Sequence, residues 1–349
     1  MFNRSRNLGY PSVATIASKS PSCIAADPLV KHGGRATHER RAAGLLALCA
    51  MLPCVAGGTP ALSPACALKA GASDEQDRKG LCGFDAAKRS FDSTPADQAK
   101  CLLRAPTIAV RSLSKPDVPA ELLARVGTKT TPTISQVEKY LSAHHVIDAD
   151  VGGPVRNPIS ADYFVIHDTS SPNCSEPKAC PKIGEFPSNM NSADWVENKT
   201  FSHHKPPNSG HAKAAHVMTN RVGDSFTVVD LKESVSHVKF DYCIEKESKR
   251  GLFVGVENIQ PRVGEPAVPN PGVSPNDHIA PIPGFTDEQY TRLALIYVVA
   301  SVRRGHWLVP AYHAVIDWYF ADGHDDPQNF DLPQFSTSVS TITAAMATL

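Results

Sequence analysis

Hydrophobic residues in the second half of the chain fall into short runs that predict β-strands. Tyr163–His167 starts with four apolar residues and ends at a histidine, which is typical of a buried strand. Leu252–Ile259 is a second apolar run, and Ala215–Thr219 and Ser225–Val229 are separated by a turn that contains glycine, which predicts a hairpin. Because α/β sheets bind ligands and metals at strand ends, His167 is the first candidate functional residue.

A helical pattern follows these strands. The segment Asp287–Arg304 carries apolar residues at core-facing spacing, and Thr286 precedes it as an N-cap, so we expect a well-buried helix. Ala311–Ile316 is predicted to be a short element after this helix. Ser336–Leu349 is rich in Ser, Thr and Ala, and we expect this tail to be loosely ordered.

Composition divides the chain into successive regions. Arg40 and Arg41 precede an apolar run that ends in small residues, which predicts a signal peptide rather than a membrane-spanning helix, because the run is short. In residues 76–150, Asp97–Leu103 and Ile134–His144 are the best helical segments. The predicted regions are a leader (1–57), a linker (58–75), a small, mostly helical accessory region (76–150), the informative domain (151–340) and a tail (341–349).

Cysteine usage and charge bear on the compartment and the partners. Of the nine cysteines, six follow the leader, and an even number without zinc-finger spacing favours an oxidising compartment, although six free thiols are the alternative. Cys82 and Cys101 flank a short segment that a disulfide could close, whereas Cys243 has no obvious partner. The formal net charge is zero, which disfavours a nucleic-acid partner.

We therefore expect an exported protein, in the periplasm or secreted, with no transmembrane span. A lipid anchor on Cys49 or Cys54 is an alternative, although the residues before each cysteine make a poor lipobox.

Three groups in the informative domain offer metal-binding atoms: His167, His313 and the cluster at residues 322–326. Catalytic zinc sites use three protein ligands with nitrogen or oxygen donors and keep one position for water. These groups are far apart in sequence, and a histidine at a strand end is more often a hydrogen-bonded residue than a ligand. The pattern alone therefore leaves both interpretations open.

A series of motifs in one order decides between these interpretations. They are Val165-Ile166-His167-Asp168-Thr169-Ser170, Cys174-x5-Cys180, Ala214-Ala215-His216-Val217-Met218 with Arg221-x-Gly223-Asp224, Ser236-His237, Gly255-Val256-Glu257-Asn258, Phe285-Thr286-Asp287-x-Gln289, Pro310-Ala311-Tyr312-His313 and Asp326-Pro327-x-x-Phe330. Together they resemble the zinc-dependent N-acetylmuramoyl-L-alanine amidases that share a fold with peptidoglycan recognition proteins and phage lysozyme-type amidases. The resemblance covers about residues 150–335.

The resemblance implies a hydrolase that cleaves the amide between N-acetylmuramic acid and L-alanine in peptidoglycan. It implies that His167, His313 and Asp326 bind one Zn²⁺, that Glu257 moves the proton of the attacking water, and that His324 donates to the substrate carbonyl. It also implies an α/β fold with a central mixed sheet, flanking helices and a zinc groove.

The resemblance also implies a disulfide loop and cleft residues around the expected zinc site. The loop from Cys174 to Cys180 resembles the short disulfide loop of peptidoglycan recognition proteins. We expect His237 and Asp168 to line the substrate cleft and His216 to lie in the core.

The chain departs from the family pattern at several positions. Asp168 replaces a second histidine, Tyr312 replaces a glycine, and the spacing from His313 to Asp326 is long, so that the loop Val315–Gly323 is extended. This spacing leaves other candidates open for the third metal ligand: Asp322, His324 and Asp325.

Alternatives to the enzyme also remain. Glu257 could instead be an edge carboxylate paired with Arg262. The domain could be a non-catalytic module that binds muropeptides, or a secreted antibacterial effector that uses the same chemistry. We expect a monomer.

Overall fold

The computed structural model describes residues 66–107, 112–174, 180, 185, 190, 215–244, 251–264, 278–321 and 323–349. The predicted leader and the first part of the predicted linker lie outside these residues. The described residues belong to one compact unit.

Short helices and hairpins precede a larger sheet along the chain. In order, the described elements are α1 (Asp74–Lys79), β1 (Phe84–Asp85), β2 (Ser90–Phe91), α2 (Pro95–Leu102), β3 (Ala105–Thr107), β4 (Ser112–Ser114), α3 (Ala120–Arg125), α4 (Ile134–Ala143), a 3-10 helix (Asp148–Asp150), β5 (Tyr163–Asp168), β6 (Val217–Thr219), β7 (Ser225–Thr227), α5 (Lys239–Ile244), β8 (Phe253–Asn258), α6 (Asp287–Arg304), β9 (Val309–Tyr312), α7 (His313–Ile316) and α8 (Leu332–Ala347).

The central sheet has five strands in the order β7-β6-β8-β5-β9. β8 and β9 both run parallel to β5, β6 runs parallel to β8, and β7 is antiparallel to β6. Every residue of β5 is buried, as expected for an interior strand of a sheet covered on both faces. The prediction of a mixed α/β fold with a central sheet and flanking helices is confirmed.

Strand register determines which side chains share a face of the sheet. His167 on β5 lies opposite Glu257 on β8, and Ile166 lies opposite Tyr312 on β9. Because successive side chains of a strand point to opposite faces, His167 and Glu257 share one face, whereas Ile166 and Tyr312 share the other. His313 follows directly after β9, so the parallel strands bring both histidines to one end of the sheet.

The two long helices, α6 and α8, pack against each other. α6 has the predicted bounds, and Thr286 and Gln289 form a reciprocal capping box at its start. The prediction of a loosely ordered tail is wrong, because α8 is a 16-residue helix. Its apolar residues at 335, 339, 342 and 346 are buried. That spacing of three and four residues places them on one helix face, which the abundance of Ser and Thr obscured.

The predicted accessory region contributes to the same hydrophobic core as the sheet. Phe91, Leu102 and Val137 are buried in a cluster that also contains the apolar residues of β5. The hydroxyl of Tyr163, at the start of β5, accepts a hydrogen bond from Phe91 N (2.8 Å) and donates to Gln98 (3.0 Å). The N-terminal helices therefore stabilise the strand that carries His167.

Three disulfides join the described residues. Cys82–Cys101 and Cys174–Cys180 confirm the two predicted pairs. Cys66–Cys243 is the third, with a sequence separation of 177 residues, and provides the partner that Cys243 lacked in the sequence. Within the part of the chain that the structure describes, no helix is both long and apolar enough to cross a bilayer.

Candidate metal centre

Three side chains from distant parts of the sequence meet at the carboxyl end of β5. His167, His313 and Asp326 are each buried, and one ligand atom from each lies within 4.8 Å of the others. The Nδ1 atoms of the two histidines are 3.0 Å apart. Asp326 places Oδ1 at 3.0 Å from His313 Nδ1 and Oδ2 at 3.6 Å from His167 Nδ1. These are the three residues predicted as metal ligands.

The donor set and its unsatisfied atoms fit a metal ion. Two imidazoles and one carboxylate are a common ligand set of catalytic zinc. Asp326 Oδ1 and Glu257 Oε2 are buried without a well-aligned hydrogen-bond donor. Because buried polar atoms are usually satisfied, a cation among these atoms would account for both oxygens. The group can therefore hold one metal ion, whose identity the geometry does not specify.

Burial and charge act differently on the two histidine ligands. Burial, together with the proximity of His313, holds the pKa of His167 well below its ordinary value. Burial also lowers the pKa of His313, but the carboxylates of Asp326 and Asp317 outweigh it and raise that pKa well above the ordinary value. Metal binding requires neutral imidazole and releases protons, so His313 must give up a proton to become a ligand.

A second histidine contacts His167 from the segment before α5. His237 Nδ1 lies 2.9 Å from His167 Nε2, on the side of the ring opposite the candidate metal position. A Cβ atom on Gly255 would lie 2.5 Å from His237 Nδ1, so glycine at 255 makes room for this ring. His237, expected in the cleft, is mostly buried against His167.

His216 lies in the core, as expected. Its side chain is completely buried. Its Nδ1 accepts from Gly255 N (3.1 Å), and its Nε2 donates to the Glu233 carbonyl (2.9 Å). These contacts fix one neutral tautomer.

Glu257 projects from β8 beside the metal group. Its Oε1 lies 3.9 Å from His167 Nδ1. Burial and then the charge of Asp326 raise the pKa of Glu257 well above its ordinary value. The alternative pairing with Arg262 is not observed, because Arg262 pairs with Asp168. A buried carboxylate with a raised pKa beside a metal can accept and return a proton near neutral pH.

Asp168 lies behind the metal group instead of in an open cleft. Its carboxylate is fully buried and accepts hydrogen bonds from Arg262 Nη2 (2.5 Å), Ser170 N (3.0 Å) and Gln328 N (3.0 Å). The physical reason is strand alternation, because Asp168 follows His167 and must point to the opposite face. Its backbone N donates to Asp326 Oδ2 (3.1 Å), so Asp168 supports the third ligand.

His324 lies at the edge of the centre. Its side chain is 39% exposed, and its Nδ1 is 3.7 Å from Asp326 Oδ1. Burial and the neighbouring His313 lower its pKa. Of the alternative third ligands, Asp322 lies outside the described residues, and the group found among the described ones uses Asp326.

Asp317 is a neighbour of the centre that the sequence did not reveal. It lies in the extended loop, and its carboxylate is 2.7 Å from His313 Nε2. Its spacing of four residues from His313 was the available signal, but aspartates at that spacing are common.

The fold and the site together define a mixed α/β protein with a buried His-His-Asp centre. Comparison with protein-family models, with curated proteins and with solved structures gives no match to this chain.

Proposed function

We propose that this protein is a zinc-dependent amidase that cleaves the bond between N-acetylmuramic acid and L-alanine in peptidoglycan. One observation carries the proposal. His167, His313 and Asp326 form one buried group, and Glu257 lies beside it, with Oε1 3.9 Å from His167 Nδ1. Four separate motifs of the resemblance nominate these four residues. Chance similarity of short motifs would not bring their side chains together.

Each residue of the site has a separate role in the proposed reaction. A bound Zn²⁺ would polarise the amide carbonyl and lower the pKa of a coordinated water to about 7. Glu257 takes the proton of the attacking water and delivers it to the alanine nitrogen as the amide bond breaks. His324, at the exposed edge, donates a hydrogen bond to the oxygen that becomes negatively charged.

The proposed location follows from the covalent structure. Three disulfides within the described residues favour an oxidising, exported environment, which is where peptidoglycan is found. We propose that the protein acts there as a monomer on the wall or on its fragments.

The test is mass spectrometry of purified peptidoglycan after digestion by the protein. We expect free stem peptides that begin with L-alanine, their loss on addition of a chelator, and their return with added Zn²⁺. Glu257→Gln should retain zinc and lose cleavage, since it removes the proton acceptor and keeps the shape. Cleavage within the glycan would contradict the proposal, and binding of muropeptides without cleavage would favour the recognition module.

A further inference from the structure

We propose that Asp317 is a positioning residue that makes His313 bind the metal through Nδ1. The inference rests on the proposed metal site, although it does not depend on the substrate. Asp317 lies in the long His313–Asp326 connection, where the chain departs from the motifs that it otherwise resembles.

The carboxylate of Asp317 is held on both of its oxygens. The side chain is fully buried. Oδ1 accepts from Phe240 N at 2.9 Å, and Oδ2 accepts from Lys239 N at 2.8 Å. Backbone N–H groups only donate, so both carboxylate oxygens act as acceptors in fixed positions.

This arrangement determines which nitrogen of His313 carries hydrogen. His313 Nε2 lies 2.7 Å from Oδ2 of Asp317, and an acceptor at that position requires Nε2 to be the N–H. His313 Nδ1 also faces a carboxylate oxygen, Asp326 Oδ1 at 3.0 Å, but Asp326 is itself a candidate ligand that a metal would engage, whereas Asp317 would remain an acceptor. A neutral imidazole has one N–H and one lone pair, so with a metal bound the lone pair falls on Nδ1. Nδ1 is the atom that lies 3.0 Å from His167 Nδ1, inside the metal group.

The support for Asp317 comes from a separate segment. Lys239 and Phe240 begin α5, and Cys243 in the same helix is bonded to Cys66. Because the disulfide fixes α5, it also fixes the N–H groups that orient Asp317. Carboxylates that orient a metal-binding histidine typically change metal affinity by about 10–100-fold when they are altered.

Asp317 could act only by capping the start of α5, which would be a structural role. The test must therefore separate this capping role from the orientation of His313. Asp317→Asn keeps the size of the side chain but replaces one of its two acceptor oxygens by an NH2 group, so only one acceptor remains for the two backbone N–H groups and His313 Nε2. Asp331→Asn is the matched control, because Asp331 caps α8 by accepting from Gln334 N (2.9 Å) and is not part of the metal group. Zn²⁺ affinity is measured for all three proteins by competition with a chelating dye. The histidine nitrogens are observed by ¹⁵N NMR, with His313 assigned through His313→Gln.

We expect zinc affinity to fall about 10–100-fold in Asp317→Asn and to stay unchanged in Asp331→Asn. In the zinc-loaded wild type, His313 should carry hydrogen on Nε2 and bind through Nδ1. Ligation through Nε2, wild-type affinity in Asp317→Asn, or an equal loss in both variants would overturn the inference. If the protein binds zinc as expected but does not cleave peptidoglycan, the proposed function fails and the role of Asp317 stands.

Discussion

His167 and Asp168 are consecutive residues of one buried strand, yet their side chains enter contrasting environments. On the Asp168 side, both carboxylate oxygens accept hydrogen bonds and a buried arginine balances the charge. On the His167 side, Asp326 Oδ1 and Glu257 Oε2 are buried without a well-aligned hydrogen-bond donor. Both oxygens of Asp168 are therefore satisfied within the protein, whereas two carboxylate oxygens on the His167 side keep unfilled acceptor capacity. Unsatisfied carboxylate oxygens beside two imidazoles are what distinguishes a candidate binding centre from a structural network.

The largest expected loss in the free energy of unfolding comes from removing the carboxylate of Asp168. Asp168→Ala leaves the Arg262 guanidinium, which is fully buried, without its carboxylate, and breaking such a pair costs about 3–5 kcal/mol. Denaturant unfolding of the metal-free protein measures this loss. The matched control is Asp162→Ala, which removes a partly exposed pair with Arg304 and should cost less than about 1 kcal/mol. Equal losses in both variants would show that the buried Asp168–Arg262 pair stabilises the protein no more than a partly exposed pair does.

The next largest effect is the loss of stability at low pH that we expect from His216, a buried histidine near the metal group. Burial lowers the pKa of His216 to about 4 from an ordinary value of 6.5. Between these values the unfolded chain binds more protons than the folded one, so stability is complete above pH 6.5 and falls as the pH drops toward 4. The loss reaches about 3 kcal/mol, since each pKa unit corresponds to about 1.4 kcal/mol.

His216→Gln isolates this contribution. Free energies of unfolding measured from pH 7 to pH 4 should decline less steeply in the variant than in the wild type, whatever its stability at pH 7. Parallel curves would show that His216 charges as readily in the folded protein as in the unfolded chain.

Zinc should stabilise the protein through the His167 side alone. At free Zn²⁺ of 100 times the dissociation constant, binding to the folded state adds about 2.7 kcal/mol. Thermal unfolding with and without Zn²⁺ measures this gain, which His167→Ala should abolish. A gain of the same size in His167→Ala would mean that zinc binds elsewhere.

The contrast between the two sides also shows what the sequence could and could not predict. The motif around His167 identified the strand, and the same alternation that positions His167 and Glu257 together already implied that Asp168 faces away. Local patterns therefore identified the hairpin and α6, and the resemblance nominated the three residues that form the candidate metal group. The role of Asp317 and the Cys66–Cys243 pairing depend on contacts between distant segments, and no local pattern encodes such contacts. The apolar face of α8 does follow a local spacing, but its Ser and Thr residues obscured it.

The smallest loss of stability should come from removing the hydroxyl of Ser170, which lies beside Asp168. Ser170 Oγ donates to Asp168 Oδ1 (3.2 Å) and accepts from Arg262 Nη2 (2.8 Å), while the charge pair itself remains when the hydroxyl is removed. Ser170→Ala removes both hydrogen bonds and should therefore cost about 2 kcal/mol, at about 1 kcal/mol net for each. Zinc affinity should not change, because the backbone N of Asp168 still donates to Asp326. Denaturant unfolding and dye competition on the same preparation measure both quantities. A loss of zinc affinity without a loss of stability would show that the two sides of the strand are coupled, and that the Asp168 network tunes the metal centre as well as supporting it.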